Sequence, residues 1–364
     1  MSQVSRAAAS GFRIGMVIPL QGPGGIFGPS CIAVCQMVEQ ELNAVDGVAG
    51  RPVEIVYVDG GRRPAEVAAE VAALVDDGRL DAVTGWHISS VRRRLAPVLA
   101  GRIPYVYTSL FEGGEHAPGV YCSGETPEQQ VFPAMSWLRR NLGIRRWHVV
   151  GARYMWPVLS MEKTIRSAST LDIEIVGSTF VEMGEGTDPR LPFDVAHSGC
   201  DAVLMLLVGQ DAVAFNRSFA AAGLQTRITR YSPLMDENML LASGADATEN
   251  LYCSASYFSS LTSADALDFL GRYVAAAGVA APALNNMAQS CYQGVHTLVE
   301  LVRRARGAHS RDPDSLDPSA FDAAIDGLVL EGPRGTVRYH GNQAVQRVNI
   351  ARADVFDFDV IETL

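Results

Sequence analysis

Positive charge is scarce in this chain. Its 364 residues hold 30 lysines and arginines against 40 aspartates and glutamates, a formal net charge of -10. A nucleic-acid partner needs a basic face that neutralises phosphates, so this balance argues against one. The densest basic run, Arg92-Arg93-Arg94, is read as one turn of an exposed helix. Long apolar runs are missing too. No stretch reaches the ~20 unbroken residues of a membrane helix, so no membrane span is expected. Met1 to Phe12, MSQVSRAAASGF, is polar and alanine-rich and lacks the apolar core of a secretory signal. The expected location is cytoplasmic, or periplasmic or lipid-anchored if a signal has been removed.

The signatures of common chemistry are missing as well. Of six cysteines (31, 35, 122, 200, 253 and 291), only Cys31 and Cys35 lie a helical turn apart, and no second close pair completes a zinc site. They read as small core residues in a reducing compartment. The seven histidines are dispersed, with no two at metal-binding spacing. There is no G-K-[ST] phosphate loop and no G-x-S-x-G elbow. Gly22-Pro23-Gly24-Gly25 follows a strand and precedes a helix, but its glycines miss the dinucleotide spacing. It reads instead as a loop opening onto a cleft. No metal, cofactor or catalysis is expected.

What is present is a regular alternation. The length suits two domains, and a hydrophobic fraction of 48% fills α/β cores. Strand-like runs at 13–19, 52–59, 82–85 and 104–108 alternate with helical spacing at 30–43, 64–76 and 90–99. A second unit follows: helix 128–142, strand 146–151, helix 154–171, strands 174–180 and 202–208, a helix 212–222 closed by Gly223, and a strand 228–231. A long helix is expected over 284–306, an exposed loop over 307–317, and strands at 336–339 and 348–351. Short connections between alternating strands and helices predict parallel, doubly wound sheets.

Polar and aromatic residues collect just past the strand ends. Trp86, His87, Ile88, Ser89 and Ser90 follow one. Tyr107, Thr108, Ser109, Leu110, Phe111 and Glu112 end the next, and Tyr154, Met155 and Trp156 follow a third. Gly209, Gln210 and Asp211 follow a fourth, and Ser256-Tyr257-Phe258-Ser259 stands near the last crossing. Hydroxyls that exchange hydrogen bonds and aromatic walls that exclude water suit a site wrapped around a small neutral solute. His87 has two readings, a residue facing the cleft or a surface or rim histidine.

Several stretches resemble the type I periplasmic-binding-protein superfamily, in its branch of branched-chain amino acid, urea and short-chain amide binders. They are Ile14 to Leu20 with the Gly22-Pro23 loop, Gly47 to Glu54 leading to Tyr57-Val58-Asp59, and Glu331-Gly332-Pro333-Arg334-Gly335-Thr336-Val337. The resemblance implies an α/β chain of two doubly wound parallel-sheet lobes joined by a three-crossover hinge. The expected division is a flexible tail 1–12, a first lobe of 13–125 plus 256–330, and a second of 126–255 plus 331–364. Within the branch the chain is most similar to the cytoplasmic aliphatic-amide sensors (AmiC-type) and the regulators of nitrile hydratase operons. The stretches that carry this are 85–90, 107–113, Tyr154 to Pro157 and Ala255 to Ser260.

That likeness implies a non-catalytic sensor that holds an antiterminator partner until an amide binds. It assigns Ser89 and Ser109 to bonding the amide, Tyr107 and Tyr154 to lining it, and Trp156 to a wall. His87, Phe111, Glu112, Gly209 and Tyr257 complete the expected site. Aromatic departures at His87, Phe111 and Trp156, and Ser109 in place of threonine, imply a pocket larger than acetamide needs. An amino acid stays open as ligand, with Glu112 or Asp236 facing its ammonium and Ser89 its carboxylate. The alternative role is the solute receptor of an ABC importer for amides, urea or branched-chain amino acids. A homodimer is a further open expectation.

Overall fold

Continuous runs of β-branched and other apolar residues make strands that are buried on both faces, as a parallel sheet covered by helices demands. Phe12–Ile18 (FRIGMVI) and Ala202–Leu206 (AVLML) are such runs. The computed structural model describes residues 11–309 and 318–364.

The first half contains β1 (Phe12–Ile18), α1 (Gly28–Val45), β2 (Val53–Asp59), α2 (Pro64–Asp76), β3 (Ala82–Gly85), α3 (Ser89–Leu99), β4 (Tyr105–Tyr107) and β5 (Val120–Cys122). The second repeats the alternation with α4 (Val131–Leu142), β6 (Arg146–Ala152), α5 (Met155–Ser167), β7 (Glu174–Val181), α6 (Arg190–Ser198), β8 (Ala202–Leu206), α7 (Gln210–Ala221), β9 (Thr229–Ser232), α8 (Glu237–Ser243) and β10 (Leu251–Ala255). The chain then returns through α9 (Ala264–Ala277), α10 (Asn286–His309), α11 (Pro318–Ile325), β11 (Val329–Leu330), β12 (Val337–His340) and β13 (Gln343–Val345). It ends in β14 (Asn349–Asp354) and β15 (Asp357–Thr363).

Two sheets result. The first is ordered β11-β12-β13-β5-β4-β3-β1-β2 and the second β15-β14-β10-β9-β8-β6-β7. The parallel core of each has the same winding, β2-β1-β3-β4-β5 in one and β7-β6-β8-β9-β10 in the other. The expected two-lobed, doubly wound α/β fold is therefore observed. It is extended at one edge of each sheet by antiparallel strands, with β14 on β10 and β12 on β13. In such sheets a ligand lies past the carboxyl ends of the strands where the order reverses. These points fall between β1 and β3 in one lobe and between β6 and β8 in the other.

The division of the chain differs from expectation in its tail. Residues 331–345 were expected with the second lobe, but β12 and β13 pair into the first sheet, β13 lying beside β5. The last change of lobes therefore falls between Val345 and Asn349. The cause is β13, a short strand with a hydrogen-bonding edge that continues the first sheet. Of the expected tail, residues 1–10 lie outside the described residues, while Phe12 opens β1 and donates its N–H to the Pro52 carbonyl. Of the expected loop over 307–317, positions 310–317 lie outside the described residues and 307–309 belong to α10.

Candidate functional site

The first wall begins with a close approach that only glycine allows. Gly85 ends β3 with φ +138°, and a Cβ there would meet the Val17 carbonyl oxygen at 2.2 Å. The turn it permits places His87 between three strands. The imidazole Nδ1 lies 3.1 Å from the Val17 carbonyl, which can only accept, so Nδ1 carries the proton. Nε2 is then the acceptor for the Tyr105 hydroxyl at 2.7 Å. Burial pushes the imidazole down to about 3, so it is neutral and structural. His87 has no exposed surface, which removes the surface-histidine reading.

Tyr107 and Ser109 lock the same residue from the next strand end. The Tyr107 hydroxyl donates to the His87 carbonyl at 2.9 Å, and Ser109 Oγ donates to it at 2.7 Å. Ser109 Oγ also accepts the His87 N–H at 2.8 Å. Ser89 opens α3, and its hydroxyl donates to Glu112 Oε2 at 2.6 Å. Glu112 Oε1 takes Arg92 Nη2 at 2.6 Å, and Arg92 Nε pairs with Glu115 at 3.0 Å. The guanidinium lies over Phe111 (4.7 Å) and Tyr107 (5.1 Å). Arg92 is buried, so the expected exposed arginine turn is corrected: only Arg93 and Arg94 face solvent. The buried face of α3 at Ser89, Arg92 and Ala96 is the reason.

These bonds decide what the wall can offer. Ser89, Ser109 and Tyr107 have each given their single proton to a protein acceptor, so what they retain are lone pairs. Donors come from elsewhere. The starts of α3, α5 and α7 have Ile88, Tyr154 and Gly209 as N-caps, none with a side-chain cap bond. The N–H groups of Ser89, Ser90, Met155, Trp156 and Gln210 therefore stay available at the positive end of the helix dipole, while those of Val91 and Asp211 bond the Ile88 and Val208 carbonyls.

The second wall starts at Tyr154, half-buried, with its ring 6.3 Å from that of Trp156. Burial raises the Tyr154 phenol well above its ordinary range. The lobes touch along a seam. A Cβ on Gly209 would meet the Pro23 carbonyl oxygen of the first lobe at 2.0 Å, and Arg93 Nη1 lies 3.8 Å from Met155 Sδ. Asn238 Nδ2 donates to the Ala283 carbonyl at 3.1 Å.

Asp236 caps α8 through the Met239 N–H at 2.8 Å and accepts Asn285 Nδ2 of the first lobe at 2.7 Å. Asn285 also donates to Ser30 Oγ at 3.0 Å. Next to it, Glu237 accepts the Ser259 N–H and hydroxyl, both at 2.9 Å. Burial raises Asp236 to about 7, and burial with the neighbouring Asp236 raises Glu237 to about 8.

A family description, "Periplasmic binding protein", matches residues 11–357. The chain belongs to the periplasmic binding protein family. Solved structures agree on the fold. A solute-binding protein of an ABC transporter from Rhodopseudomonas palustris HaA2, in complex with p-hydroxybenzoic acid, is 17% identical over 98% of this chain and 97% of its own, with TM-score 0.85. The branched-chain amino acid transporter binding protein LivJ from Streptococcus pneumoniae, in complex with isoleucine, is 17% identical over 98% and 99%, with TM-score 0.84. A solute-binding protein of R. palustris in complex with benzoate is 18% identical over 97% and 96%, with TM-score 0.83. The family match lends no support to the expected cytoplasmic location. Among the described residues no helix is long and apolar enough to cross a membrane.

In this periplasmic binding protein the expected residues fall into three groups. Ser89, Tyr107, Ser109, His87 and Glu112 form one buried network of the first lobe. Tyr154, Trp156 and Gly209 stand on the second lobe, at helix starts or in the first turn. Phe111 lies behind the wall under Arg92, and Tyr257 packs on Phe269 (5.9 Å) at a crossing between the lobes. Sequence reasoning named Asp236 but missed Glu237, Asn285 and the paired state of Arg92. The Asp-Glu pair directly after apolar Leu234-Met235 was the available signal for Glu237.

Proposed function

We propose that this chain is the solute receptor of an importer and closes on a small solute that carries both a hydrogen-bond donor and an acceptor. One observation carries the reading. The Ser89 hydroxyl is committed to Glu112, leaving a lone pair for a solute N–H, while the uncapped start of α3 beside it leaves N–H groups for a carbonyl or carboxylate. A small amino acid satisfies both halves, as does a short-chain amide. Benzoate satisfies only the second. The relatives named above bind isoleucine and benzoates, which favours transport over gene regulation. Among acidic solutes, the lone pairs favour those with an N–H or O–H at the far end. Nothing in the site requires a catalytic group, and we read the chain as non-catalytic.

Calorimetry with leucine, isoleucine, p-hydroxybenzoate, benzoate, butyramide and urea tests this. At a hundredfold excess over Kd a specific solute stabilises the folded state by about 2.7 kcal/mol. Leucine, isoleucine or butyramide is expected to give that stabilisation and benzoate not. Tightest binding by benzoate, or no binding by any of the six, rejects the reading.

The amide-sensor role is the second reading, supported by the same committed hydroxyls, which suit an amide –NH2. It predicts an RNA-binding regulator that co-purifies with the chain and is released by butyramide. Loss of labelled leucine uptake in a strain lacking this chain favours the importer instead.

A further inference from the structure

The chain passes between lobes at 123–130, 256–263 and 346–348, and one carboxylate touches all three crossings. Glu125, buried on the first, accepts the Ser256 hydroxyl of the second in a short hydrogen bond. The same oxygen accepts Gln346 Nε2 of the third at 3.2 Å. Gln346 Nε2 also donates to the Ser123 carbonyl at 3.0 Å. Its amide is aimed by a buried cation: Arg334 Nη1 donates to Gln346 Oε1 at 3.2 Å, while Arg334 Nη2 is held by Ser290 at 2.8 Å on α10. Glu125 and Arg334 are thus a charge pair bridged by one amide.

The first crossing is also pressed against the site. The Glu125 carbonyl accepts the Phe111 N–H at 2.9 Å, and a Cβ on Gly124 would meet the Ser109 carbonyl oxygen at 1.8 Å. Rotation of one lobe against the other must change the relative positions of the three crossings. A single oxygen with two donors from different crossings tolerates little such change, because hydrogen bonds weaken steeply with distance and angle.

We infer that Glu125 is a positioning residue: its carboxylate clasps the three crossings in the closed arrangement and so sets the balance between closed and open lobes. It touches no solute. The clasp goes beyond the solute reading and does not depend on which solute binds.

The test uses the whole ligand-free protein with spin labels at Arg94→Cys on the first lobe and Glu162→Cys on the second, both exposed. The interlobe distance distribution is compared in the background, in Glu125→Gln and in Ser256→Ala. Charge-assisted bonds are worth severalfold or more in an equilibrium, so each variant is expected to lower the ratio of short to long distances at least about fivefold. Ser256→Ala removes only one hydroxyl and keeps the test valid if Glu125→Gln does not fold. Combining the two is expected to add little to either alone. An unchanged distance ratio in the folded variants overturns the clasp, whatever happens to their melting temperatures.

Discussion

The two lobes share one winding, yet their cleft walls are held in opposite ways. The first wall is fastened by neutral and paired groups: His87 kept uncharged between Val17 and Tyr105, and Arg92 placed between Glu112 and Glu115. The second meets it along a seam with buried carboxyls, Asp236 and Glu237, that are hydrogen-bonded to neutral donors and form no ion pair among the described residues. A wall that must present lone pairs at fixed points is served by bonds that stay made. A seam that must open and close is served by contacts whose free energy is small and adjustable. Substitutions that strip each side of its device should separate stability from closure.

The largest effect is expected at Arg92. Arg92→Leu leaves Glu112 and Glu115 facing each other without their cation, and breaking a buried pair in this way costs about 3–5 kcal/mol. Urea unfolding should show the loss, and it should fall on the first lobe. If the midpoint stays put, the first wall is not held by this ion pair.

Acid and base should then act on opposite sides. His87 is held at about 3 against an ordinary value near 6.5, a depressed folded pKa. Its neutral form is stabilising above the unfolded value, and that contribution fades as pH falls from about 6.5 toward 3. The loss is about 2 kcal/mol by pH 5. Buried His296, held near 4, adds to it. The seam carboxyls have raised folded values, near 7 and 8, above an ordinary value of about 4. Their contribution is complete below that ordinary value and is lost as pH rises from there through 7 to 8, by on the order of 4 kcal/mol for the two together between pH 6 and 8. Melting curves across pH should show both slopes. His87→Gln should flatten the acid one and Asp236→Asn the alkaline one; if neither moves its slope, the contrast between walls fails.

How much of this was legible beforehand follows from the kind of force involved. Long apolar strands and amphipathic helices announce themselves by periodicity, so β1, β2, β8, α1 and α10 were all anticipated to within a few residues. The short strand β5 and the residues of β10 were not, because Val120–Cys122 and LYCSA carry no alternation of their own and owe their pairing to neighbouring strands. Helix α9 was overlooked despite Ser263 at its N-cap, which accepts the Ala266 N–H. In the site, Ser89, Ser109, Tyr107 and Tyr154 were named from strand ends and resemblance. That Ser89 and Ser109 would spend their protons on Glu112 and His87 was not readable, since both partners come from 20 or more positions away.

A smaller effect tests the seam alone. Gly209 has φ +51° and presses on the Pro23 carbonyl. Gly209→Ala adds a methyl that only the separated lobes can accommodate. Solute affinity should fall at least about tenfold, or 1.4 kcal/mol, while the ligand-free protein scatters as a more open shape. Equal affinity in the variant means the lobes do not close along this line.

The smallest effect reads the first wall directly. Ser89→Ala removes the lone pair offered to a solute but leaves Glu112 bonded to Arg92, so unfolding should shift by only about 1 kcal/mol. A solute whose N–H rests on that oxygen should lose about five- to tenfold in affinity, a net bond of about 1 kcal/mol. A solute without an N–H or O–H at that end should lose almost nothing. Measuring leucine and butyramide beside benzoate on this one variant separates what Ser89 gives the fold from what it gives the ligand. If all three weaken equally, the hydroxyl serves the wall alone, and the lone-pair account of the site is wrong.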